Sequence, residues 1–205
     1  MALPPGARVL DVGAGAALLA RAVGARGRAD LSWTALDASL DCLEPLRRHS
    51  RAVAIVDLER CPRLPGGFDA IVAGDVLEHL VDPEAFTARL LAALRPGGEL
   101  YVSVPNVANV TVRLSLLFGR FEYRERGILD RTHRIFFTRR RLRALLRESG
   151  FAIVEESASS LPLHLLVPRS GHRGLALPAL LLRGMTRLLP SLLGYQLLAR
   201  ARRPA

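Results

Sequence analysis

The sequence predicts an α/β fold, a mostly parallel sheet with helices on both faces, from three observations. Short β-branched runs alternate with helical patterns through the first hundred residues. A glycine-rich turn, in "RVLDVGAGAALLA", follows the first of those runs. The one long connection comes only after the fifth run, at residues 105–137, where a segment of that length is normally functional or an inserted structure.

Taken in order, the strands fall at Arg8–Val12, Ser32–Leu36, Ala52–Val56, Phe68–Ala73 and Glu99–Val104. Ser39 caps a helix that runs through Arg48 with a kink at Pro45, whose ring removes a helical hydrogen bond. The clearest helix is Asp82–Leu94: Asp82 caps it, Pro83 suits its first turn, Phe86, Leu90, Leu91 and Leu94 form one apolar stripe, and "RPGG" stops it. Within the long connection, Val107–Phe118 has helical spacing. Beyond it, Thr138 caps a helix through Ser149 that buries Leu142, Leu145 and Leu146 and ends at Gly150, and the strand "FAIVEE" follows. From Leu161 to Ala205 the chain is apolar and basic, with no acid after Glu156. Arg183, Arg187, Pro178 and Pro190 interrupt its apolar runs, so none approaches the roughly 18 residues of a membrane span. A packing helix and an edge strand at Tyr195–Ala199 are expected here, with a helix lying on a membrane surface as the second option.

With 205 residues, half of them apolar, the chain is long enough for one substantial core. A single domain over 1–205 is therefore expected, divided at its long connection into 1–104, an insert at 105–137 and a C-terminal helix with strands at 138–205. Two cysteines, Cys42 and Cys61, make neither a disulfide framework nor a structural zinc site, and no apolar leader precedes the first strand, which points to a reduced, cytoplasmic setting, with the inner face of a membrane as a peripheral alternative. All 29 basic residues are arginine. Residues 1–112 hold 11 Arg against 13 acids, a net of −2, and residues 113–205 hold 18 against 6, a net of +12, so the positive charge belongs to the second half. That asymmetry suits phosphates, anionic lipid or nucleic acid, and equally a solvated basic surface.

A dinucleotide fingerprint requires Gly-x-Gly-x-x-Gly, and its third glycine is here Leu18. An acid two residues before Gly-x-Gly-x-Gly fits better: Asp11, Gly13 and Gly15 are in register, with Ala14 between the glycines and Ala17 in place of the last. The first two glycines permit the backbone angles and close approach that a nucleoside needs, and Ala17 is tolerated if its own angles are ordinary.

At this point the sequence resembles the class I S-adenosylmethionine-dependent methyltransferases over nearly its whole length. "VLDVGAGAALLA" looks like their first motif, "ALDAS" like the second-strand motif and "VDLE" like the end of the third strand; "FDAIVAGDVLEHLVDPEAF" and "LRPGGELYVSVPN" look like the fourth and fifth strand segments. "GILDRTHRIFFT" and "RALLRESGF" are similar to a bacterial subgroup associated with polysaccharide or lipid-carrier gene clusters. The resemblance implies a Rossmann-like sheet of seven strands with a final antiparallel strand, and S-adenosyl-L-methionine as cofactor. Asp11 would attract the ligand's ammonium, and Asp37, with Ala38 beside it, would accept both ribose hydroxyls. Asp57 and the Leu58 backbone would meet the adenine, and Asp75 would complete the cofactor edge. An aspartate after a strand is also an ordinary cap or turn former, and for Asp57 that reading competes.

For transfer to a hydroxyl, a base is expected from His79 or His133, with Asp130 orienting His133 or touching substrate. Structural roles for both histidines, and pairing of Asp130 with Arg131 or Arg134, compete with this. Asp75-x-x-Glu78-His79 also resembles acid–acid–histidine clusters that hold a divalent metal in some members, with His133 as a further ligand. Because Glu78 and His79 are adjacent and need not face the same way, no metal is assigned. The expected acceptor is a small, sugar or lipid-linked molecule methylated at oxygen, and the 11 arginines between Arg113 and Arg147 suit a phosphate on it. Nucleic acid fits less well, since no recognised binding module accompanies the charge. Members of the family have helices before the first strand that cover the cofactor, whereas seven residues precede Arg8. A partner domain or chain supplying that cover, a start further upstream, and a lid-deficient or non-catalytic S-adenosylmethionine-binding protein all stay open. A nicotinamide-dependent oxidoreductase is the remaining rival, and Leu18 counts against it.

Overall fold

The computed structural model describes residues 3–161 and 176–205. One seven-stranded sheet organises them: β1 (Arg8–Val12), β2 (Ser32–Asp37), β3 (Ala52–Ile55), β4 (Phe68–Gly74), β5 (Leu94–Pro105), β6 (Ala152–Ser159) and β7 (Gln196–Arg202), in the spatial order β3-β2-β1-β4-β5-β7-β6. β1 to β5 are parallel, and β7 runs antiparallel to both its neighbours. This is the Rossmann-like arrangement with an antiparallel seventh strand, and its strand order reverses between β1 and β4, where open α/β sheets bind their ligands.

Side chains alternate across a strand, so β1 feeds two cores. Leu10 and Val12 join Leu36, Ile71 and Leu100 under α3 (Pro83–Ala93) and α5 (Arg139–Glu148), which contribute Phe86, Leu90, Leu142 and Leu146. Val9 points the other way, with Trp33, Ala70 and Val72, against α1 (Leu18–Gly24). The expected caps form: Asp82 Oδ1 accepts the Ala85 N–H at 2.8 Å and Thr138 Oγ1 that of Arg141 at 3.2 Å. Ser39 also caps, but the helix expected through Arg48 is a 3-10 turn, Leu40–Cys42, followed by the short α2 (Leu43–Arg47), in whose first turn Pro45 costs no helical bond. The insert begins with α4 (Val110–Leu117), capped by Asn109 rather than starting at Val107.

The C-terminal strand corrects an expectation. β7 is not an edge strand at Tyr195–Ala199 but lies inside the sheet, between β5 and β6. The strand also runs on to Arg202, beyond the expected Ala199, and its arginines are paired across the ladder. Arg202 reaches the largely buried Glu99 at 2.8 Å, and Arg200 lies 3.9 Å from Glu99 and 3.7 Å from Glu155. Beyond the strand, Arg203 donates to the carbonyls of Leu91 and Leu94 and so closes the C-terminal end of α3. The start of the apolar C-terminal segment, residues 162–175, lies outside the described residues. Its continuation, α6 (Ala176–Leu188), buries Thr186 but leaves Leu180, Leu181, Met185 and Leu188 exposed, so it is only partly the expected packing helix. A short α7 (Pro190–Leu193) leads into β7. No helix among the described residues is long and apolar enough to cross a membrane.

Candidate functional site

The carboxyl ends of β1, β2 and β4 meet at one edge. After β1 the chain turns through Gly13 at φ 65° and Gly15 at φ 52°, left-handed angles that cost glycine little. A Cβ on Gly13 would stand 2.7 Å from Val76 Cγ2, so the turn requires glycine for space as well as for angle. The main-chain N–H groups of Gly13 and Ala14 bond to the Leu36 carbonyl at 2.8 and 3.1 Å, which ties the turn to β2. Ala17 corrects the expectation of ordinary angles: at φ 58° and ψ 28° it too is left-handed, and it caps α1 without a side-chain bond. That conformation costs alanine about 1–2 kcal/mol. Burial of its methyl against Ala35 and Leu46 returns about 0.8 kcal/mol, so the turn forms at a modest net cost.

Asp37 closes this turn from β2. Its Oδ2 accepts the Gly15 N–H at 2.7 Å and its Oδ1 that of Ser39 at 2.9 Å, with Ala38 exposed beside it. Asp11 is buried beneath the same turn, and burial first, then the neighbouring charge of Asp37, pushes its carboxyl up to about 7. Two acids beside a glycine turn make a cradle for a ligand that brings positive charge and hydroxyl donors. Asp57 behaves as the turn former that competed for it: Oδ1 accepts the Glu59 N–H at 2.9 Å, Arg60 lies 3.6 Å from Oδ2, and the side chain is largely exposed. Leu58, next to it, is buried in the main core.

Asp75, at the end of β4, has φ 55°, an uncommon conformation for a residue with a side chain. Its Oδ1 accepts from Ser103 Oγ at 2.9 Å and its Oδ2 from Gln196 Nε2 at 2.6 Å, so β5 and β7 aim the carboxylate. The chain then makes the 3-10 turn Leu77–His79, onto which the insert folds back: the N–H groups of Arg134 and Ile135 both donate to the Glu78 carbonyl, at 2.8 and 3.1 Å. This brings His133 against His79, ring centroids 5.0 Å apart and edge to face. Each ring directs Nδ1 to a main-chain carbonyl, His79 to Thr132 at 3.3 Å and His133 to Ile128 at 3.1 Å. Glu78 is 1% exposed, and neither of its carboxylate oxygens has a hydrogen-bond partner; burial pushes its carboxyl up to about 8.

Asp130 does not reach either ring by hydrogen bond. Its Oδ1 accepts from the N–H and the hydroxyl of Thr132 at 2.8 and 2.7 Å, contacts that lower its pKa, and it thereby sets the carbonyl on which His79 rests. Arg131 pairs with Glu125 instead. A cleft of about 440 Å³ is walled by α4, by Arg120, Arg124 and Arg126, by Ile128, whose carbonyl meets His133, and by Tyr195. Sequence reasoning does not find Ser103, Thr132 or Gln196, because each acts through a partner distant in the chain. The one local signal is the pair Asn106 and Asn109 after β5, both buried and both donating to the Gly194 carbonyl, which fixes the approach of Tyr195 and Gln196.

A family model described as "Methyltransferase domain" matches residues 1–156. The ubiquinone biosynthesis O-methyltransferase of Xanthomonas campestris pv. campestris (strain B100) is 34% identical over 138 residues, covering 63% of this chain and 55% of that protein. The protein of the same description from Xylella fastidiosa (strain 9a5c) is 34% identical over 163 residues, covering 74% and 63%. The chain thus spans 55–63% of the length of these relatives. Among solved structures, an S-adenosylmethionine-dependent methyltransferase from Mesorhizobium loti superposes with a TM-score of 0.64 at 19% identity, over 98% of this chain and 94% of that one, a likeness of fold.

Proposed function

The chain belongs to the class I S-adenosylmethionine-dependent methyltransferases, and on that premise we propose that it methylates an oxygen of a small, lipid-linked or sugar acceptor that bears phosphate. The observation that carries this reading is the meeting of Glu78, His79 and His133 after β4, the strand next to β1, where Val76 packs against the Gly13 turn. The cofactor fits the cradle of Asp11, Gly13, Gly15 and Asp37: a Cβ on Gly15 would stand in open space, with nothing within 4 Å, and the two acids match a ligand that carries an ammonium and a ribose diol. When bound, S-adenosylmethionine would supply a methyl group activated by its sulfonium for transfer to an acceptor oxygen, with S-adenosylhomocysteine as the leaving thioether.

The chain's own residues would divide the work. Asp11 would hold the ammonium and Asp37 the ribose, with Ala14 and Ala38 forming the walls between them. Asp57 and Leu58 would bound the adenine side, and Asp75, already fixed by Ser103 and Gln196, would orient the methionine end. On the acceptor side a carbonyl oxygen only accepts, so Nδ1 carries the proton in both imidazoles and Nε2 is the basic atom. These atoms, with Glu78, would activate the acceptor hydroxyl. Arg120, Arg124 and Arg126 line the cleft that Ile128 also walls and suit phosphate oxygens. Leu117, Phe118, Phe121 and Tyr123 stand exposed beside Arg120, which supports an acceptor whose apolar tail lies in a membrane surface. Residues 1–104 would then form the cofactor half and 105–137 the acceptor half.

The test is to incubate the purified chain with S-adenosylmethionine and a panel of phenolic, sugar and lipid-phosphate acceptors, and to identify the methylated atom by mass spectrometry and NMR. An O-methyl product with equimolar S-adenosylhomocysteine is expected. Methylation at nitrogen or carbon, or cofactor binding without transfer to any hydroxyl, would overturn the proposal. The latter result would favour a non-catalytic binding protein.

A further inference from the structure

We infer that Tyr195 is a specificity-determining residue of the acceptor cleft: its phenol hydroxyl donates a hydrogen bond to a phosphate that the cleft arginines hold. The residue is fixed along its main chain. Its N–H donates to the Ser159 carbonyl at 2.7 Å, and its carbonyl accepts the Asn106 N–H at 3.0 Å. Just before it, the Gly194 carbonyl accepts from the side-chain amides of Asn106 and Asn109 at 2.9 and 2.8 Å. Gly194 itself has no room for a Cβ, which would meet the Pro190 carbonyl oxygen. The Tyr195 ring packs against the buried cluster of Val112, Ile128 and Leu129. Its hydroxyl stands over Gly127, where the main chain takes φ 103° and an added Cβ would lie 2.9 Å from the phenol oxygen. Tyr195 lines the cleft, and its hydroxyl has no hydrogen-bond partner among the described residues.

A half-buried phenol ordinarily finds a hydrogen-bond partner, and the cleft wall indicates the chemistry of the missing one. Arg120, Arg124 and Arg126 line it, and none forms an ion pair or a side-chain hydrogen bond among the described residues. Glu122 is the one acid in that wall. Outside it the arginines are engaged: Arg131 pairs with Glu125, and Arg139 and Arg143 pair with Glu156. Three unengaged cations and one hydroxyl donor match a phosphate ester, whose oxygens accept several hydrogen bonds at once. Burial raises the phenol's pKa above its usual 10, Arg124 opposes the rise and Asp75 adds to it, so the group keeps its proton at neutral pH and acts as a donor. The next residue, Gln196, holds Asp75 at 2.6 Å. Consecutive residues thus set the acceptor's anchor and the cofactor edge, which fixes the distance between phosphate and methyl donor. This inference rests on the proposed phosphate-bearing acceptor and deepens it by naming the residue that reads the phosphate. The competing account is a tyrosine that serves packing alone, its hydroxyl turned to water.

Octyl phosphate is the probe, with inorganic phosphate sharing only its anion and octyl glucoside only its tail. Each is titrated calorimetrically into the wild-type chain and into Tyr195→Phe, which keeps the ring and removes the hydroxyl. S-adenosylmethionine affinity and the thermal midpoint are measured on both proteins. The wild-type chain is expected to bind octyl phosphate in competition with inorganic phosphate, and octyl glucoside at least about tenfold more weakly. Tyr195→Phe is expected to lose about tenfold in octyl phosphate affinity, the scale of one hydrogen bond to a charged group, with cofactor affinity within about twofold and the midpoint unchanged. Gly127→Ala, which crowds the hydroxyl without removing it, is expected to weaken the same binding and decides if Tyr195→Phe fails to fold. Equal octyl phosphate affinity in wild type and Tyr195→Phe would overturn the inference, as would octyl glucoside binding as tightly as octyl phosphate. An O-methyl product from a chain whose octyl phosphate binding ignores Tyr195→Phe would overturn this inference alone. The tenfold loss in a protein that methylates no hydroxyl would keep the phosphate site and overturn only the transfer reading.

Discussion

Asp37 fastens the glycine turn of the neighbouring strand: its Oδ2 accepts the Gly15 N–H at 2.7 Å across the β1–β2 edge. The same carboxylate is therefore both a structural latch and the acceptor proposed for the ribose. Asp37→Ala is expected to weaken S-adenosylmethionine binding at least tenfold, about 1.4 kcal/mol, and Asp37→Asn, which keeps one acceptor oxygen, to weaken it less. Calorimetric titration of both variants decides, and unchanged affinity in Asp37→Ala would remove the residue from the cradle.

Gly13 is the position in this turn with the least room. Its φ of 65° disfavours any Cβ, and that Cβ would meet Val76. Gly13→Ala is expected to cost about 1–3 kcal/mol of stability and to weaken cofactor binding. Denaturant unfolding of the two proteins measures it, and equal midpoints would show that Val76 and the turn accommodate the methyl freely.

Asp11 makes the stability of the ligand-free protein depend on pH. Its carboxyl rises from 3.8 to about 7 on folding, so between those values the folded state holds a proton that the unfolded state has lost. Stability should therefore fall as pH rises from about 4 to about 7, by at most about 4 kcal/mol, and this loss should level off above that range. Asp11→Asn should remove about half of the slope, and Glu78, raised from 4.5 to about 8, should sustain the other half with the same sign. Thermal melts at closely spaced pH values test the sign directly; a melting temperature that climbs through this window would contradict it.

Asp130 is bonded to Thr132 and to neither imidazole, which suits a positioning role. Through Thr132 it sets the carbonyl that holds His79. Asp130→Ala is expected to lower kcat about tenfold or more while leaving cofactor affinity intact, and Asp130→Asn, whose Oδ1 still accepts, to restore much of the rate. A loss of cofactor binding in Asp130→Ala would mark the effect as general unfolding of the insert.

The exposed face around α4 combines Leu117, Phe118 and Phe121 with Arg113 and Arg120. Vesicles containing anionic lipid should sediment the protein, neutral vesicles should not, and Phe118→Asp should reduce the bound fraction, since each arginine near such a surface contributes about 1 kcal/mol. Binding that is indifferent to lipid charge would remove the membrane from the proposed acceptor.

The cofactor half was readable because its signals are local. Strand periodicity, the caps Asp82 and Thr138, and the spacing Asp11, Gly13, Gly15 each lie within one element or one turn. Two local inferences nevertheless failed. Ala17 adopts a left-handed conformation that no propensity for alanine announces, because its methyl gains burial in the fold. β7 was expected at an edge, but its place between β5 and β6 is set by strand pairings that exist only once the sheet is assembled.

The acceptor side divides along the same line. By itself the sequence determined that an acid-bearing glycine turn would stand at the carboxyl end of a parallel sheet, since periodicity and turn chemistry act over a few residues. The tertiary structure alone decided that Glu78 is buried without a partner, that His133 meets His79, and that Asp75 turns away to Ser103 and Gln196. Those are the outcomes of packing a long insert against a short turn. The contacts that fix them, from Arg134 and Ile135 to the Glu78 carbonyl, are main-chain hydrogen bonds that every non-proline residue could make. The identity of a side chain does not encode where such bonds form.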